Sequence, residues 1–98
     1  MVNVHIVLMR GFPGSVYRSR RGAVQEIVDK ISELVAGKAY EFGVSRHALT
    51  EPRRLEIISH IVYGEHEQAI ASWNKVARLS QDTLVSVYAI VERELYEE

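Results

Sequence analysis

Apolar and polar positions alternate with a period of two at the start of the chain, which predicts a β-strand over residues 2–9. Val7 and Met9 add apolar side chains to the more polar side of this strand, so we expect both of its faces to be covered. The glycines and the proline that follow predict the end of the strand and a loop over residues 10–21. The apolar positions of the first face are Val2, Val4, Ile6 and Leu8.

Apolar residues at helical spacing over residues 24–35 predict the first helix, with polar residues on its other side. Gly37 is typical of a helix end. Two beginnings are open: the helix starts near Gly22, or Ser15 caps a longer helix. The apolar face comprises Val24, Ile27, Val28, Ile31, Leu34 and Val35.

A second alternation places Tyr40, Phe42 and Val44 on one side and predicts a second strand. A strand, a helix and a strand of these lengths favour a parallel pair with a right-handed crossover. Because two strands are not stable alone, either the helices cover them or a second copy of the chain supplies more strands. We favour the second arrangement, a homodimer.

The chain from Thr50 onward has the spacing of three helices. Thr50 is a suitable cap for the first of these, and Gly64 ends it. The next begins over residues 65–67 and turns Trp73 inward, and Ser80 caps the last.

The predicted last helix has an apolar face wider than one packing contact needs, which indicates burial against a partner subunit. The predicted interface residues are Leu84, Val87, Tyr88, Val91 and Leu95.

These elements predict a single α+β domain over residues 1–98, mostly helical, in the order βαβααα, with a short two-stranded sheet covered by helices or extended across a dimer. The domain has a basic βαβ half, residues 1–49, and an acidic helical half, residues 50–98. Charge supports the division, because nine of the twelve Lys and Arg residues lie before residue 55, whereas eight of the thirteen Asp and Glu residues lie after it. Such an asymmetry favours an anionic partner for the first half.

Composition excludes several classes of protein. The chain has no cysteine, which excludes disulfides and thiolate metal sites. It has no apolar run of the roughly 18 residues that span a membrane, and no basic leader, so we expect a cytoplasmic protein without a signal peptide. The four histidines lack the spacing of metal ligands, and no metal or cofactor is predicted; they are His5, His47, His60 and His66.

The run RGFPGSVYRSRRG, residues 10–22, is the strongest functional candidate. Arginine guanidinium groups bind phosphate through two parallel hydrogen bonds, an adjacent tyrosine stacks on a base or sugar, and glycines let the backbone approach. The predicted nucleic-acid or phosphate-binding residues are Arg10, Gly11, Gly14, Tyr17, Arg18, Arg20 and Arg21. The patch would be extended, if the second predicted strand ends nearby, by Arg46, His47, Arg53 and Arg54.

Two motif resemblances are incomplete. The run HIVLMRGFPGSVYRS resembles the opening of a P-loop kinase, but Val16 replaces a glycine and Tyr17 replaces the phosphate-binding lysine. The last two predicted helices resemble a helix-turn-helix, but Asn74 and Arg78 stand where that motif has a small residue and a glycine. The second helix would also present an acidic face to DNA, which the phosphates disfavour.

The leading hypothesis is a small non-enzymatic regulator or adaptor that binds an anionic partner, nucleic acid in the first instance, through residues 10–21. One alternative is a protein-binding module or inhibitor that acts through the acidic and apolar C-terminal helices. Another is a small enzyme that acts on a phosphate-bearing ligand. No catalytic residue is assigned, because no nucleophile has both a base and an orienting third group.

Overall fold

The computed structural model describes residues 2–80 and 86–95. It is an α+β fold in which three main helices pack on one side of a three-stranded antiparallel sheet. The strands are β1 (Val2–Met9), β2 (Phe12–Tyr17) and β3 (Tyr88–Leu95), in the order β2-β1-β3. The helices are α1 (Arg20–Glu33), a π-helical segment (Leu34–Lys38), the short α2 (Ala39–Glu41), α3 (Glu51–Val62) and α4 (His66–Leu79). The predicted α+β class is confirmed, but the predicted order and two-stranded sheet are wrong.

The predicted loop over residues 10–21 contains strand β2. Arg10 and Gly11 form the turn of a β-hairpin, with φ of 55° and 80°. Positive φ at both turn positions matches the right-handed twist of the paired strands, so the glycine turns the chain back instead of ending the sheet. The register then slips between Ile6 and Leu8, which places Gly14 and Ser15 opposite the single residue Val7.

The predicted last helix is also wrong where the structure describes it, because residues 88–95 form β3. This strand pairs with β1 along its whole length, from Val2 opposite Leu95 to Met9 opposite Tyr88. The side chain of Asn74 on α4 accepts from the Tyr88 N–H (2.9 Å) and donates to the Tyr88 carbonyl (2.8 Å). These two bonds attach the beginning of β3 to the helix layer.

The predicted interface residues therefore do not form a helical stripe. Val87 packs against the core and Tyr88 is buried in it. Val91 lies in β3 and is partly buried, and Leu95 is the last paired residue of that strand. Leu84 lies outside the described residues, as does the side chain of Leu95.

No strand forms at Tyr40, Phe42 and Val44. Gly37 has a φ of 141° and bends the chain within the π-helical segment, after which α2 continues to Glu41. The Tyr40 hydroxyl donates to the Leu49 carbonyl (3.0 Å), and Val44 is buried in the core. The parallel βαβ unit that we expected is thus absent from the described residues, where all strand pairs are antiparallel.

The helices predicted over residues 24–35, from Thr50 and from residues 65–67 are confirmed, but both predicted beginnings of the first helix are wrong. Ser19, and neither Gly22 nor Ser15, caps α1 by accepting from the Gly22 N–H (3.1 Å). Thr50 caps α3 as predicted, and Trp73 on α4 is 0% exposed. No helix in the described part of the chain is long and apolar enough to cross a bilayer.

The two faces of the sheet have different neighbours. The inner face, which includes Val7, Tyr88 and Ile90, packs on the core, and α1 contacts all three strands there. Alternation along the strands places a second apolar set on the opposite side, which we call the outer face. Val4 is buried, Val16 is exposed, and the other members are partly buried; none of them belongs to the main core cluster. They are Val2, Val4, Ile6, Leu8, Val16 and Val91.

Candidate anion-binding sites

The predicted arginines lie at two separate places. Arg10 is in the hairpin turn, whereas Arg18 follows the other end of β2. Seven residues lie between them, and the six of β2 are extended, which corresponds to roughly 20 Å. Residues 10–21 therefore do not form one pocket. The remaining group, which we call the helix-start arginines, consists of Arg18, Arg20 and Arg21.

The helix-start arginines surround the first turn of α1. Arg20 forms an ion pair with Glu67 at the beginning of α4. Arg18 and Arg21 are exposed, and no carboxylate of residues 2–80 or 86–95 pairs with either of them. The first turn of α1 has no acidic residue. Because free N–H groups and the helix dipole favour negative charge at a helix start, two unpaired guanidinium groups there strengthen the attraction for an anion.

Tyr17 has a structural role in the hairpin. Its hydroxyl donates to Glu26 Oε1 (3.0 Å), which also accepts from the Ser15 hydroxyl (2.6 Å). Loss of solvent, with the Glu26 carboxylate as the next cause, raises the pKa of Tyr17. The ring lies against Gly22, where an added Cβ would be 2.9 Å from Tyr17 Cδ1. Stacking on a base would therefore require the ring to leave this contact.

The two glycine positions of the predicted site require glycine for different structural reasons. Gly11 supplies the positive φ of the hairpin turn. Gly14 lies in the bulge, where an added Cβ would meet Met9 Cε at 3.0 Å. Both are explained by the hairpin itself.

A second group of cations lines an open cleft between α3 and α4, which we call the cationic cleft. Its charged walls are Arg53, Lys75 and Arg78, and Leu79 supplies an apolar wall. The cleft has a volume of about 390 Å³ at this end, and an adjoining lobe of about 280 Å³ shares Arg53 and Lys75.

The sequence analysis missed Lys75 and Arg78 and named Arg53 only as an extension. A usable signal was present. Two helices joined by a connection of three residues, 63–65, run antiparallel, so the beginning of α3 must lie beside the end of α4.

The other cations of this region are engaged within the molecule. The Arg54 guanidinium donates to both Glu51 oxygens (3.1 and 3.0 Å) and to the Val35 carbonyl (3.1 Å). The Arg54 hydrogen bond lowers the pKa of Glu51, and Glu51 in turn raises that of Arg54. The Arg46 guanidinium carbon lies 4.5 Å from the centre of the Tyr40 ring, which is a cation–π contact.

The histidines show no metal centre in the described part of the chain, where no three His, Asp or Glu residues cluster suitably. His60 lies 3.6 Å from Glu56 and 3.3 Å from Glu65, and it links the end of α3 to the next connection. His47 is exposed, and its carbonyl accepts from Arg53.

Comparison with protein-family models, curated proteins and solved structures found no match to this chain. The function is therefore argued from the sites alone.

Proposed function

We propose that this protein is a small non-enzymatic adaptor that binds nucleic acid through the helix-start arginines. The observation that carries the proposal is the pair of exposed guanidinium groups, Arg18 and Arg21, without carboxylate partners among the described residues. They flank an α1 start that has no acid of its own. The favoured ligand there is a phosphate of the backbone.

The surroundings of these arginines favour backbone contacts over base recognition. Tyr17 is held between Glu26 and Gly22, so no aromatic platform is free at this place. Phosphate contacts position a nucleic acid but carry no sequence information. We therefore expect binding that depends strongly on salt and weakly on base sequence.

Fluorescence anisotropy with labelled duplexes of two unrelated sequences tests the proposal. The double variant Arg18→Ala/Arg21→Ala should reduce the slope of log affinity against log salt by about 2, since each duplex phosphate contact contributes about 0.9. Arg20 is left unchanged because it holds Glu67. The matched control Lys75→Gln/Arg78→Gln removes the same charge at the cationic cleft and should keep the slope. Equal slopes for the wild type and the Arg18/Arg21 variant would remove the helix-start arginines as the binding surface.

A second function, self-association, is favoured by the outer face of the sheet. Antiparallel sheets that face water usually carry polar residues on that side, but here the central strand carries Ile6 and Leu8, which are partly exposed, beside the buried Val4. Two flat apolar sheet faces pack at about 10 Å, and a two-fold axis makes one such face self-complementary. The net charge of −1 gives little repulsion between copies. We propose that the protein forms a homodimer through this face.

Sedimentation analysis over a range of concentrations tests the homodimer. Ile6→Lys places a charge in the centre of the outer face and should yield a monomer at all concentrations. Gln68→Lys adds the same charge on the exposed side of α4 and should leave the dimer unchanged. A wild-type chain that is monomeric throughout would contradict the proposal.

A further inference from the structure

The cationic cleft holds three positive charges whose ion pairing can be followed over residues 2–80 and 86–95. None of Arg53, Lys75 and Arg78 pairs with a carboxylate in the described ranges. Glu56 is the one acidic group in the described lining, and it is shared with His60 at 3.6 Å. The lining thus carries a net charge of about +2, which matches the charge of a phosphate monoester at neutral pH.

One of these cations is fixed in place before any ligand arrives. Arg53 Nη1 donates to the Ala48 carbonyl (2.9 Å) and the His47 carbonyl (3.4 Å). Because its guanidinium group is held by the backbone, it loses little conformational freedom when an anion binds. Lys75 and Arg78, one helical turn apart on α4, complete the cationic rim.

The apolar wall of the cleft restricts the ligand further. Leu79 is 58% exposed at the end of α4, beside the cations. The two lobes together have the size of a small-molecule site. A bare inorganic anion would leave this wall in water, whereas a phosphate ester with an apolar group would cover it.

We propose that the cationic cleft binds a small phosphate monoester, with the phosphate held by Arg53, Lys75 and Arg78 and its apolar group packed on Leu79. This site is separate from the helix-start arginines, so it stands or falls independently of nucleic-acid binding. It involves no chemical step: the ligand is held by charge and by apolar contact.

Isothermal titration calorimetry of the full chain with hexyl phosphate tests the proposal. We expect saturable 1:1 binding that is about tenfold tighter than binding of inorganic phosphate, as burial of about two methylene groups on Leu79 predicts. Hexanol alone, which lacks the anionic head, should not bind measurably. Hexanoate, with a single charge, should bind more weakly than the phosphate ester.

Variants locate the ligand and keep the test independent of folding. Lys75→Gln/Arg78→Gln changes two exposed helix residues to a good helix former and should weaken hexyl phosphate binding at least tenfold. Leu79→Ser should abolish the preference for hexyl phosphate over inorganic phosphate. Arg18→Ala/Arg21→Ala should leave the affinity for hexyl phosphate unchanged.

Three outcomes would overturn the inference: no binding by the wild type, binding that survives Lys75→Gln/Arg78→Gln, or binding lost in Arg18→Ala/Arg21→Ala instead. The last outcome would place the phosphate at the helix start and leave the nucleic-acid proposal untouched.

Discussion

The two faces of the sheet are built from alternate residues of the same strands, and both are apolar, yet the main core lies against only one of them, and Val4 is buried on the other. Val7 on the inner face is 0% exposed beneath α1, whereas its neighbour Ile6 on the outer face contributes nothing to the main core. Apolar residues in a strand therefore do not reveal what the strand packs against. One face stabilises the monomer, and the other is the surface that we propose for self-association.

The sharpest test of this contrast is a lysine at two adjacent positions. Val7→Lys buries a charge without a partner and should cost about 4 kcal/mol or more, which leaves little folded protein. Ile6→Lys can direct its ammonium group to water along the outer face and should cost about 1 kcal/mol in the monomer. Urea unfolding at low protein concentration measures both. Similar losses would show that the outer face is also covered in the monomer.

The next effect concerns the attachment of β3 to the helices on the inner side. Asn74→Ala removes both hydrogen bonds to the Tyr88 main chain and leaves two buried groups unsatisfied, so we expect a loss of about 2 kcal/mol. Asn74→Asp keeps the acceptor but places a carboxylate oxygen against the Tyr88 carbonyl, so it should lose at least as much. Urea unfolding of both variants would contradict this role if neither differed from the wild type.

The proposed homodimer through the outer face predicts a smaller, concentration-dependent effect. The Tm of the wild type should rise by a few degrees over about a hundredfold increase in concentration, because association stabilises the folded state by mass action. Ile6→Lys should melt at one temperature throughout. A Tm of the wild type that is independent of concentration would indicate that the outer face stays in water.

The smallest expected effect is a loss of folding stability at alkaline pH, and it involves two tyrosines of the inner face. Loss of solvent raises the pKa of both Tyr17 and Tyr88, with Glu26 adding to each shift. A raised pKa means that the folded state retains its proton more tightly, so this stability is full below the ordinary tyrosine pKa of about 10 and is lost as pH rises through the folded value. Chemical denaturation at increasing pH should show the decline, and Tyr88→Phe should reduce it. A decline of the same size in that variant would assign it to other groups.

The sequence was sufficient to predict an element where a single hydrophobic period, that of a strand or that of a helix, dominated. The alternation over β1 and the helical spacing of α1, α3 and α4 predicted those elements, because each has one face that must be buried. The prediction failed where the same residues fit both a helix and a strand. Val87 and Val91 are spaced for a helix but also alternate as in a strand, and pairing with β1 decided the matter.

A glycine at the end of a strand or helix can lead into a loop or turn the chain directly into another element, and the sequence pattern does not distinguish the two. Gly11 follows the end of β1 and Gly37 interrupts the helix, as predicted, but their positive φ values also turn the chain directly into another strand and another short helix. The hairpin then separated Arg10 from Arg18, which sequence proximity had joined. The cationic cleft was not predicted because Arg53 lies more than twenty residues before Lys75 and Arg78 and meets them only through the antiparallel packing of α3 and α4.

The bulge opposite Val7 has a further consequence for how far the sheet could extend. Together with Pro13, it deprives β2 of a regular row of hydrogen-bonding groups, whereas β3 offers eight residues in an unbroken register with β1. Addition of a further strand is therefore favoured at the β3 edge of the sheet and disfavoured at the β2 edge. Continuous growth of a sheet, as in a fibre, needs a regular margin on both sides, and this sheet has one on the β3 side alone among its described strands.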